Sequence, residues 1–180
     1  STLSSSSAAS DVYKRQPWGT MEFIHQAKDK NLPRVQSIQN AYNLLNRIFE
    51  FGGSEIAFRE NVGLLAYSPL AQGYLTGNYQ NGNLPEGSRK ALFDRLQRYE
   101  GVGSEEAIES YLNIAKKHNI DPSQLANQFV TTRPFVTSNI IGATSIEQLK
   151  LAVTSIEVEM NEELENDIEE AFKVHGNVAS

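Results

Sequence analysis

The stretch from Gly63 to Gly73 constrains the fold of this chain most strongly, because a short apolar run leads directly into a Ser-Pro turn. Its first five residues carry no charge, and this length suits a strand buried on both faces better than a helix. In parallel α/β sheets and barrels, ligands bind at the carboxyl ends of the strands. The residues at this strand end are therefore candidate ligand contacts: Tyr67, Ser68 and Leu70. An ordinary strand that ends in a turn is the alternative that the pattern leaves open.

The rest of the chain alternates helical and strand patterns around this run. Apolar periodicity and capping residues predict helices that begin at Pro17, at Ser54 as an N-cap, at Ser104, at Asp121 as an N-cap, near Thr144 or Ser145, and at Asn161. Further strands are predicted at 35–39 and 137–141. The apolar residues of the first helix are Trp18, Met21, Ile24 and Ala27. Helices and strands in alternation are typical of βα units with a parallel sheet and right-handed crossovers.

Three further polar features are candidates for ligand contacts. Gln39-Asn40 ends the first strand, and an amide can pair with another amide because it carries both donors and an acceptor; a polar strand end capped by its own loop is the alternative. The long irregular segment from 74 to 103 includes Arg89, which can reach an anionic ligand, although a solvated basic loop explains most of its cations. Small residues before the helix near Thr144 leave room for a phosphate, a weak indication because every βα junction has a helix start.

Composition excludes several classes of protein. The 180 residues suit one domain, and the net charge of −6 with scattered basic residues argues against a nucleic-acid binder. No apolar run reaches the roughly 18 to 20 residues that span a bilayer, and the lack of cysteine excludes disulfides and thiolate metal sites. His25, His118 and His175 have no spacing that joins two of them at one metal, so no metal site is predicted. We expect a cytoplasmic protein without membrane or nucleic-acid partners.

The first sixteen residues differ from the rest of the chain. Residues 1–10 form a Ser/Ala tract with little to bury, so we expect disorder there. Residues 11–16 (DVYKRQ) resemble the translation of a transposon adapter sequence, and on this interpretation 1–16 is a non-native leader. A natural flexible tail or a cloning scar is the alternative. We therefore expect the folded part to be 17–180 and to begin partway through a larger protein.

Four separated blocks resemble a known family. They are PWG at 17–19, SIQNAYNLLNR at 37–47, the run 63–73 followed by LTG at 75–77, and IIGAT at 140–144 followed by EQL at 147–149. In order and spacing they are similar to the C-terminal half of an aldo-keto reductase of the bacterial Tas type, a branch related to the potassium-channel β-subunits. The resemblance covers the chain from Pro17 onward. It implies an α/β fold that is the C-terminal part of a (β/α)8 TIM barrel, with about three βα units plus extra C-terminal helices and the barrel incomplete.

The resemblance also implies an activity and a cofactor. Aldo-keto reductases use NADP(H) to transfer hydride to a carbonyl substrate. The cofactor contacts that the family implies, from the nicotinamide end to the adenosine end, are Gln39 at the carboxamide, Tyr67 stacked on the ring, Ser68, Leu70 and Gly73 along the pyrophosphate, Arg89 on a covering loop, and Thr144 and Gln148 at the adenosine phosphate and adenine.

The chain departs from the family pattern in two places and lacks one part of it. Asn78 stands where the family usually has a lysine, and Leu151-Ala152 replace a Glu-Asn pair at the adenine end. The catalytic Asp, Tyr, Lys and His of the family lie upstream of Pro17, so no catalytic residue is assigned and the chain alone is expected to be inactive. Two alternatives stay open. One is a non-catalytic cofactor-binding or interaction module related to channel β-subunits, and the other is a small three-stranded α/β domain complete in itself.

Overall fold

The computed structural model describes residues 17–85, 88–92 and 97–179, so the predicted leader at 1–16 lies outside the described residues. The helices and strands are α1 (Pro17–Asp29), β1 (Ser37–Ala41), α2 (Gly53–Glu60), β2 (Gly63–Tyr67), α3 (Arg89–Leu92), α4 (Ser104–Lys117), α5 (Pro122–Thr131), β3 (Val136–Ile140), α6 (Ile146–Thr154) and α7 (Glu162–His175). Short 3₁₀ segments lie at Ile48–Glu50, Ala71–Thr76, Gln80–Gly82, Gln97–Tyr99 and Ser155–Glu157. Within the described ranges no helix is long and apolar enough to cross a membrane.

The three strands form one parallel sheet in the order β1-β2-β3, which confirms the predicted parallel α/β arrangement. β2 has the predicted bounds, whereas the predictions for β1 and β3 were wrong at their ends: β1 lies two residues later and β3 one residue earlier than expected. The ladder explains the shift of β1, because Ser37 pairs with Gly63 and Ala41 pairs with Tyr67. β3 likewise ends at Ile140, opposite Tyr67. Pairing with β2 therefore sets the limits of both neighbours.

Gly63 is required by the packing at the start of β2. A β-carbon at this position would lie 1.7 Å from Oγ1 of Thr137 in β3, which is far inside any contact distance. The β2–β3 ladder also shifts register between Leu64 and Leu65. Gly63, the first residue of β2, thus lets β3 approach β2 closely.

The two faces of the sheet differ in burial. The side chains of one face are fully buried in the core: Ile38, Leu64 and Ala66. The side chains that alternate with them are half-buried: Gln39, Leu65 and Tyr67. Successive residues of a strand point to opposite faces, so the candidate residues Gln39 and Tyr67 share the more open face. The core contains Tyr42, whose ring stacks on Phe129 at 5.7 Å and meets Phe135 edge-on at 5.2 Å.

Side-chain caps fix the starts of the three C-terminal helices. Asp121 caps α5 as predicted, and its carboxylate accepts hydrogen bonds from the amides of Ser123 and Gln124. Asn161 caps α7. Ser145, one of the two predicted alternatives, caps α6.

The predicted cap of α2 was wrong. Ser54 lies inside the helix, which begins at Gly53, and its hydroxyl donates to the Glu50 carbonyl instead of capping. The capping position belongs to Gly52, whose φ of 92° is readily adopted only by glycine. The glycine pair before Ser54 therefore determines where the helix starts.

Apolar periodicity identified helices whose apolar residues are only partly buried. In α1, Ile24 and Ala27 are buried, but Trp18 is 77% exposed. The apolar residues of α6 are exposed as well: Ile146, Leu149 and Val153. α6 packs against α5 and the Ser155–Glu157 turn. A helical pattern in the sequence thus predicted the element without predicting how deeply it is buried.

Candidate functional site

The chain leaves β2 through a turn in which four residues adopt left-handed backbone angles: Ser68 (φ 58°), Ala71 (φ 48°), Gln72 (φ 60°) and Gly73 (φ 102°). Such angles are uncommon for residues other than glycine, and they cluster at functional sites. Two hydrogen bonds hold the turn, from the Ala71 amide to the Ser68 carbonyl (2.9 Å) and from the Gly73 amide to the Leu70 carbonyl (2.8 Å). The candidate residues Ser68, Leu70 and Gly73 are therefore parts of one tight turn.

Gln39 and Tyr67 lie on neighbouring strands and on the same face of the sheet. Gln39 pairs with Leu65, and Tyr67 is two residues further along β2, opposite Ile140. Both side chains are half-buried and so keep an accessible side. Asn40, the other amide of the predicted pair, alternates to the opposite face. The structure thus places Gln39, in the middle of β1, and Tyr67, at the end of β2, on one face of the sheet and leaves Asn40 on the other.

Sequence reasoning missed Asn43, which connects the segment after β1 to the turn after β2. Asn43 is fully buried. Its Nδ2 donates to the Ser68 carbonyl at 2.8 Å and to the Tyr99 hydroxyl at 3.0 Å. The sequence does contain an indication, since Asn43 stands between Tyr42 and two leucines and a buried polar residue needs hydrogen-bond partners.

Arg98 belongs to the segment that follows the turn. Its interaction with Tyr67 raises the pKa of Arg98, although burial acts in the opposite direction. The candidate residue Arg89 begins α3, but its side chain lies outside the described part of the structure. Arg98 is therefore a further charged residue associated with Tyr67, and the sequence pattern did not distinguish it from the other cations of the loop.

Tyr74, Tyr79, Lys90 and Glu100 form a cluster that holds α3 against the turn. Lys90 Nζ lies 2.8 Å from a Glu100 oxygen and 5.2 Å from the centre of the Tyr74 ring, and the Tyr74 hydroxyl donates to Glu100. Burial and the bond to Glu100 raise the pKa of Tyr74 to about 12, while Lys90 and Tyr74 lower the pKa of Glu100. Tyr79 packs against Gly73, because a β-carbon at Gly73 would lie 3.1 Å from the Tyr79 hydroxyl.

The chain leaves β3 at the carboxyl edge of the sheet and enters α6 beside an open pocket of about 440 Å³. The pocket is lined by Ile141, Ala143, Thr144, Ser145, Ile146 and Leu149. Gln148 Oε1 accepts hydrogen bonds from the Thr144 amide (2.9 Å) and hydroxyl (3.1 Å), so the structure brings these two candidate residues together. The backbone amide of Gln148 in turn donates to Ser145 Oγ at 3.2 Å. Thr144 and Gln148 are exposed, and the start of α6 is thus organised by exposed polar groups.

A second group of charged side chains joins α4 to α7. His118 Nε2 lies 2.6 Å from Asp167 Oδ2, and Lys117 Nζ lies 2.7 Å from the same oxygen and 3.2 Å from Glu163. His118, Glu163 and Asp167 offer ligand atoms within 4.8 Å of one another, but the lysine ammonium already contacts both carboxylates. Hydrogen bonds from Lys117 and His118 lower the pKa of Asp167. These contacts describe an ion-pair network between two helices.

The fold and the site together define an α/β protein whose parallel strands carry an amide and an aromatic residue on one face, with a left-handed turn directly after the aromatic residue. A family model described as the aldo/keto reductase family matches residues 16–173. This chain therefore belongs to the aldo/keto reductase family. The family fold is a (β/α)8 barrel, and the three parallel strands with their helices are consistent with part of such a barrel.

Individual relatives agree with this assignment. Protein tas of Escherichia coli (strain K12) is 44% identical over 164 residues, which are 91% of this chain and 47% of that protein. An aldo-keto reductase of Babesia bovis is 39% identical over 140 residues, 74% of this chain and 49% of that protein. A putative voltage-gated potassium channel subunit beta of Schizosaccharomyces pombe is 33% identical over 154 residues, 78% and 44% of the two chains. The resemblance to the Tas type is confirmed, and the chain spans about half the length of the curated relatives it matches.

Proposed function

We propose that this chain forms part of the NADP(H) site of an aldo-keto reductase that reduces aldehydes or ketones. The cofactor supplies the hydride for that reaction, and the residues of this chain bind and orient it. The proposed contacts, from the nicotinamide end to the adenosine end, are Gln39, Tyr67, Ser68, Leu70, Gly73, Arg89, Thr144 and Gln148.

The observation that carries this proposal is the shared face of Gln39 and Tyr67 beside the turn at 68–73. An aromatic face packs against one side of a flat ring, and a primary amide pairs with a carboxamide. Leu70 has right-handed angles (φ −87°, ψ 11°) and Ala71 left-handed ones, an alternation that also occurs in anion-binding turns, although here the Ala71 amide itself donates to the Ser68 carbonyl. An aromatic ring, a primary amide and a turn of this kind together support a dinucleotide as the proposed ligand.

The proposal is tested by titrating the chain with NADPH in a calorimeter. We expect binding to the unaltered chain and a loss of about tenfold or more in affinity for Tyr67→Ala, because stacking of a flat heteroaromatic ring contributes about 1–3 kcal/mol. Phe51→Ala is the matched control, since Phe51 is 65% exposed and lies outside the proposed contacts. Absence of NADPH binding, or an equal effect of the two substitutions, would contradict the proposal.

We propose further that proton transfer in the whole enzyme belongs to residues outside this chain. Tyr42 does not replace them, because it is fully buried and because burial and the neighbouring Glu50 carboxylate raise its pKa. General acid catalysis requires a group that reaches the substrate with a pKa near the working pH. In the same preparation we therefore expect no NADPH oxidation with a reactive aldehyde, followed by absorbance, and sustained turnover would refute this part of the proposal.

A non-catalytic cofactor-binding or interaction module is the second candidate function. It is favoured by the similarity to the putative voltage-gated potassium channel subunit beta of Schizosaccharomyces pombe. This candidate shares the expected NADPH binding but predicts that the gene upstream of this chain lacks the catalytic Asp, Tyr, Lys and His. The upstream genomic sequence therefore distinguishes the two. For both candidate functions we propose a cytoplasmic protein without nucleic-acid or membrane partners. For the reductase we also propose a small carbonyl substrate.

A further inference from the structure

We propose that Asn43 is a positioning residue for the nicotinamide end of this site, a role that rests on the proposed function. Its side-chain amide holds the carbonyl of Ser68 and thereby sets the geometry of Tyr67 and the turn that follows. The ladder between β1 and β2 ends where Ala41 pairs with Tyr67. One residue further, the Tyr42 amide still donates to the Tyr67 carbonyl at 3.3 Å.

Beyond this point the main chain of the β1 segment no longer bonds to β2. The backbone of Asn43 turns away and forms two hydrogen bonds with Asn46, each 3.0 Å long. Ser68 turns as well, since its φ is 58°. The Asn43 side chain bridges the gap, because Nδ2 reaches the Ser68 carbonyl at 2.8 Å. The carbonyls of Tyr67 and Ser68 are thus both held from the same segment, one by backbone and one by side chain.

The orientation of the Asn43 amide is fixed by its other partners. Nδ2 also donates to the Tyr99 hydroxyl (3.0 Å), and Oδ1 accepts from the Leu45 amide (3.0 Å). A flipped amide would place Oδ1 against the Ser68 carbonyl, where two acceptors repel each other. The side chain is 0% exposed, so water does not compensate for a lost partner. Asn43 therefore holds a left-handed serine, which is disfavoured without support, in one conformation.

Asn43→Asp is the substitution that isolates this contact. Aspartate has nearly the same shape and keeps an acceptor for the Leu45 amide, but it offers no donor to the Ser68 carbonyl. Asn46→Asp is the matched control: Asn46 is 5% exposed in the same segment, and its Oδ1 accepts from the Ile48 amide at 3.2 Å, a bond that aspartate preserves. If Asn43→Asp is unfolded by circular dichroism, Asn43→Ser replaces it in every comparison below.

The first measurement compares two ligands of the full 180-residue chain. NADPH contains the nicotinamide ring, whereas adenosine 2′,5′-bisphosphate carries only the adenosine end. We expect Asn43→Asp to weaken NADPH binding about tenfold or more, the effect of one buried unpaired group. The affinity of Asn43→Asp for the bisphosphate should change by less than about twofold. In Asn46→Asp, the affinities for NADPH and for the bisphosphate should also each change by less than about twofold. An equal loss for both ligands would show that Asn43 only supports the fold, and would overturn the positioning role.

The second measurement needs no ligand and separates this inference from the proposed function. Hydrogen exchange of the Ala71 and Gly73 amides reports on the turn, because these amides donate to the carbonyls of Ser68 and Leu70. We expect exchange at both amides to be about tenfold faster in Asn43→Asp than in Asn46→Asp. If the unaltered chain binds no NADPH, the proposed function fails and exchange alone decides whether Asn43 holds the turn. Equal exchange in the two variants would overturn the inference.

Discussion

At the scale of single residues, the ionisation of Tyr74, in the turn after β2, makes the stability of the folded chain depend on pH. Burial and the hydrogen bond to Glu100 raise its pKa from 10.0 to about 12, although Lys90 acts in the opposite direction. A pKa that is raised in the folded state means that the folded chain holds the proton more tightly than the unfolded chain. The resulting stabilisation is complete below about pH 10 and is lost as the pH rises through about 12.

We predict that Tyr74→Phe lowers the free energy of unfolding by about 1 kcal/mol near neutral pH, through the lost hydrogen bond. The gap in the free energy of unfolding between the unaltered chain and Tyr74→Phe should shrink between about pH 10 and 12, as measured by urea titrations at a series of pH values. In a Glu100→Gln background the gap should still begin to shrink near pH 10 but should stop shrinking at a lower pH than in the unaltered background, because one cause of the raised pKa in the folded state is removed. A gap that is constant from neutral pH to about 12 would contradict this assignment.

The residues of the candidate site were predictable to different extents. Tyr67 could be recognised because its position at a strand end follows from the local sequence alone. The apolar neighbours of Asn43 indicate a buried polar residue, but its partners could not be predicted, because Ser68 and Tyr99 are 25 and 56 residues away and the pairing exists only when the sheet has formed. Whether Gln39, Tyr67 and the turn bind a cofactor stays a prediction.

At the scale of elements, Arg47 connects α7 to the segment that follows β1. It is 5% exposed, and its guanidinium forms bonds of 2.8 and 2.9 Å with Glu50 and an ion pair of 2.8 Å with Glu169 of α7. The guanidinium also lies 4.1 Å from the centre of the Phe172 ring. Burial lowers the pKa of Arg47, but the bonds to both carboxylates outweigh burial and raise it overall. The charge is therefore retained inside the protein.

We predict that Arg47→Met lowers the free energy of unfolding by about 2 kcal/mol, because the substitution removes charge-assisted hydrogen bonds to Glu50 and Glu169, whose side chains are 24% and 40% exposed and are rehydrated. Arg59→Met is the control, because the Arg59–Glu55 pair has the same charges but side chains that are 75% and 63% exposed. Exposed pairs of this kind contribute about 0.5 kcal/mol or less. Equal losses for the two substitutions in urea unfolding would refute a structural role for the buried charge.

The bounds of the elements were predictable where local chemistry decides them. Asp121 caps α5 because the aspartate and the following proline favour a helix start wherever they stand. The start of β1 was misplaced because it depends on Gly63, its partner 26 positions later in the chain. Ser54 looked like a cap from its neighbours, but the backbone angle of Gly52 moved the start of α2. The parallel direction of the strands followed from their alternation with helices, whereas their order and register required tertiary contacts.

At the scale of the whole molecule, the sheet has two edges without a partner strand in the described residues. β1 and β3 each pair on one side only, and the face that carries Tyr67 is half-buried. Parallel sheets are normally covered on both faces, and unpaired edges promote association. We predict that the isolated chain associates with increasing concentration, as measured by light scattering.

A charge at the edge of β3 should reduce this association. Ile140→Lys places a lysine on the last residue of β3, which is 38% exposed. Ile156→Lys is the control, because Ile156 is 67% exposed and belongs to the Ser155–Glu157 segment and not to a strand. If both substitutions reduce the association equally, general charge and not the strand edge is responsible.

The contacts of the C-terminal segment with the region after β1 have a consequence for how the chain folds. The Arg47 amide donates to Asn177 Oδ1 across a separation of 130 residues, and the Ala179 amide donates to the Leu45 carbonyl. Contacts between such distant positions form slowly, because a long loop must close before any interaction compensates for the lost entropy. The strands and the C-terminal helices can therefore assemble first. The segment that holds Asn43, and with it the turn beside Tyr67, is expected to reach its final structure only in the last step of folding.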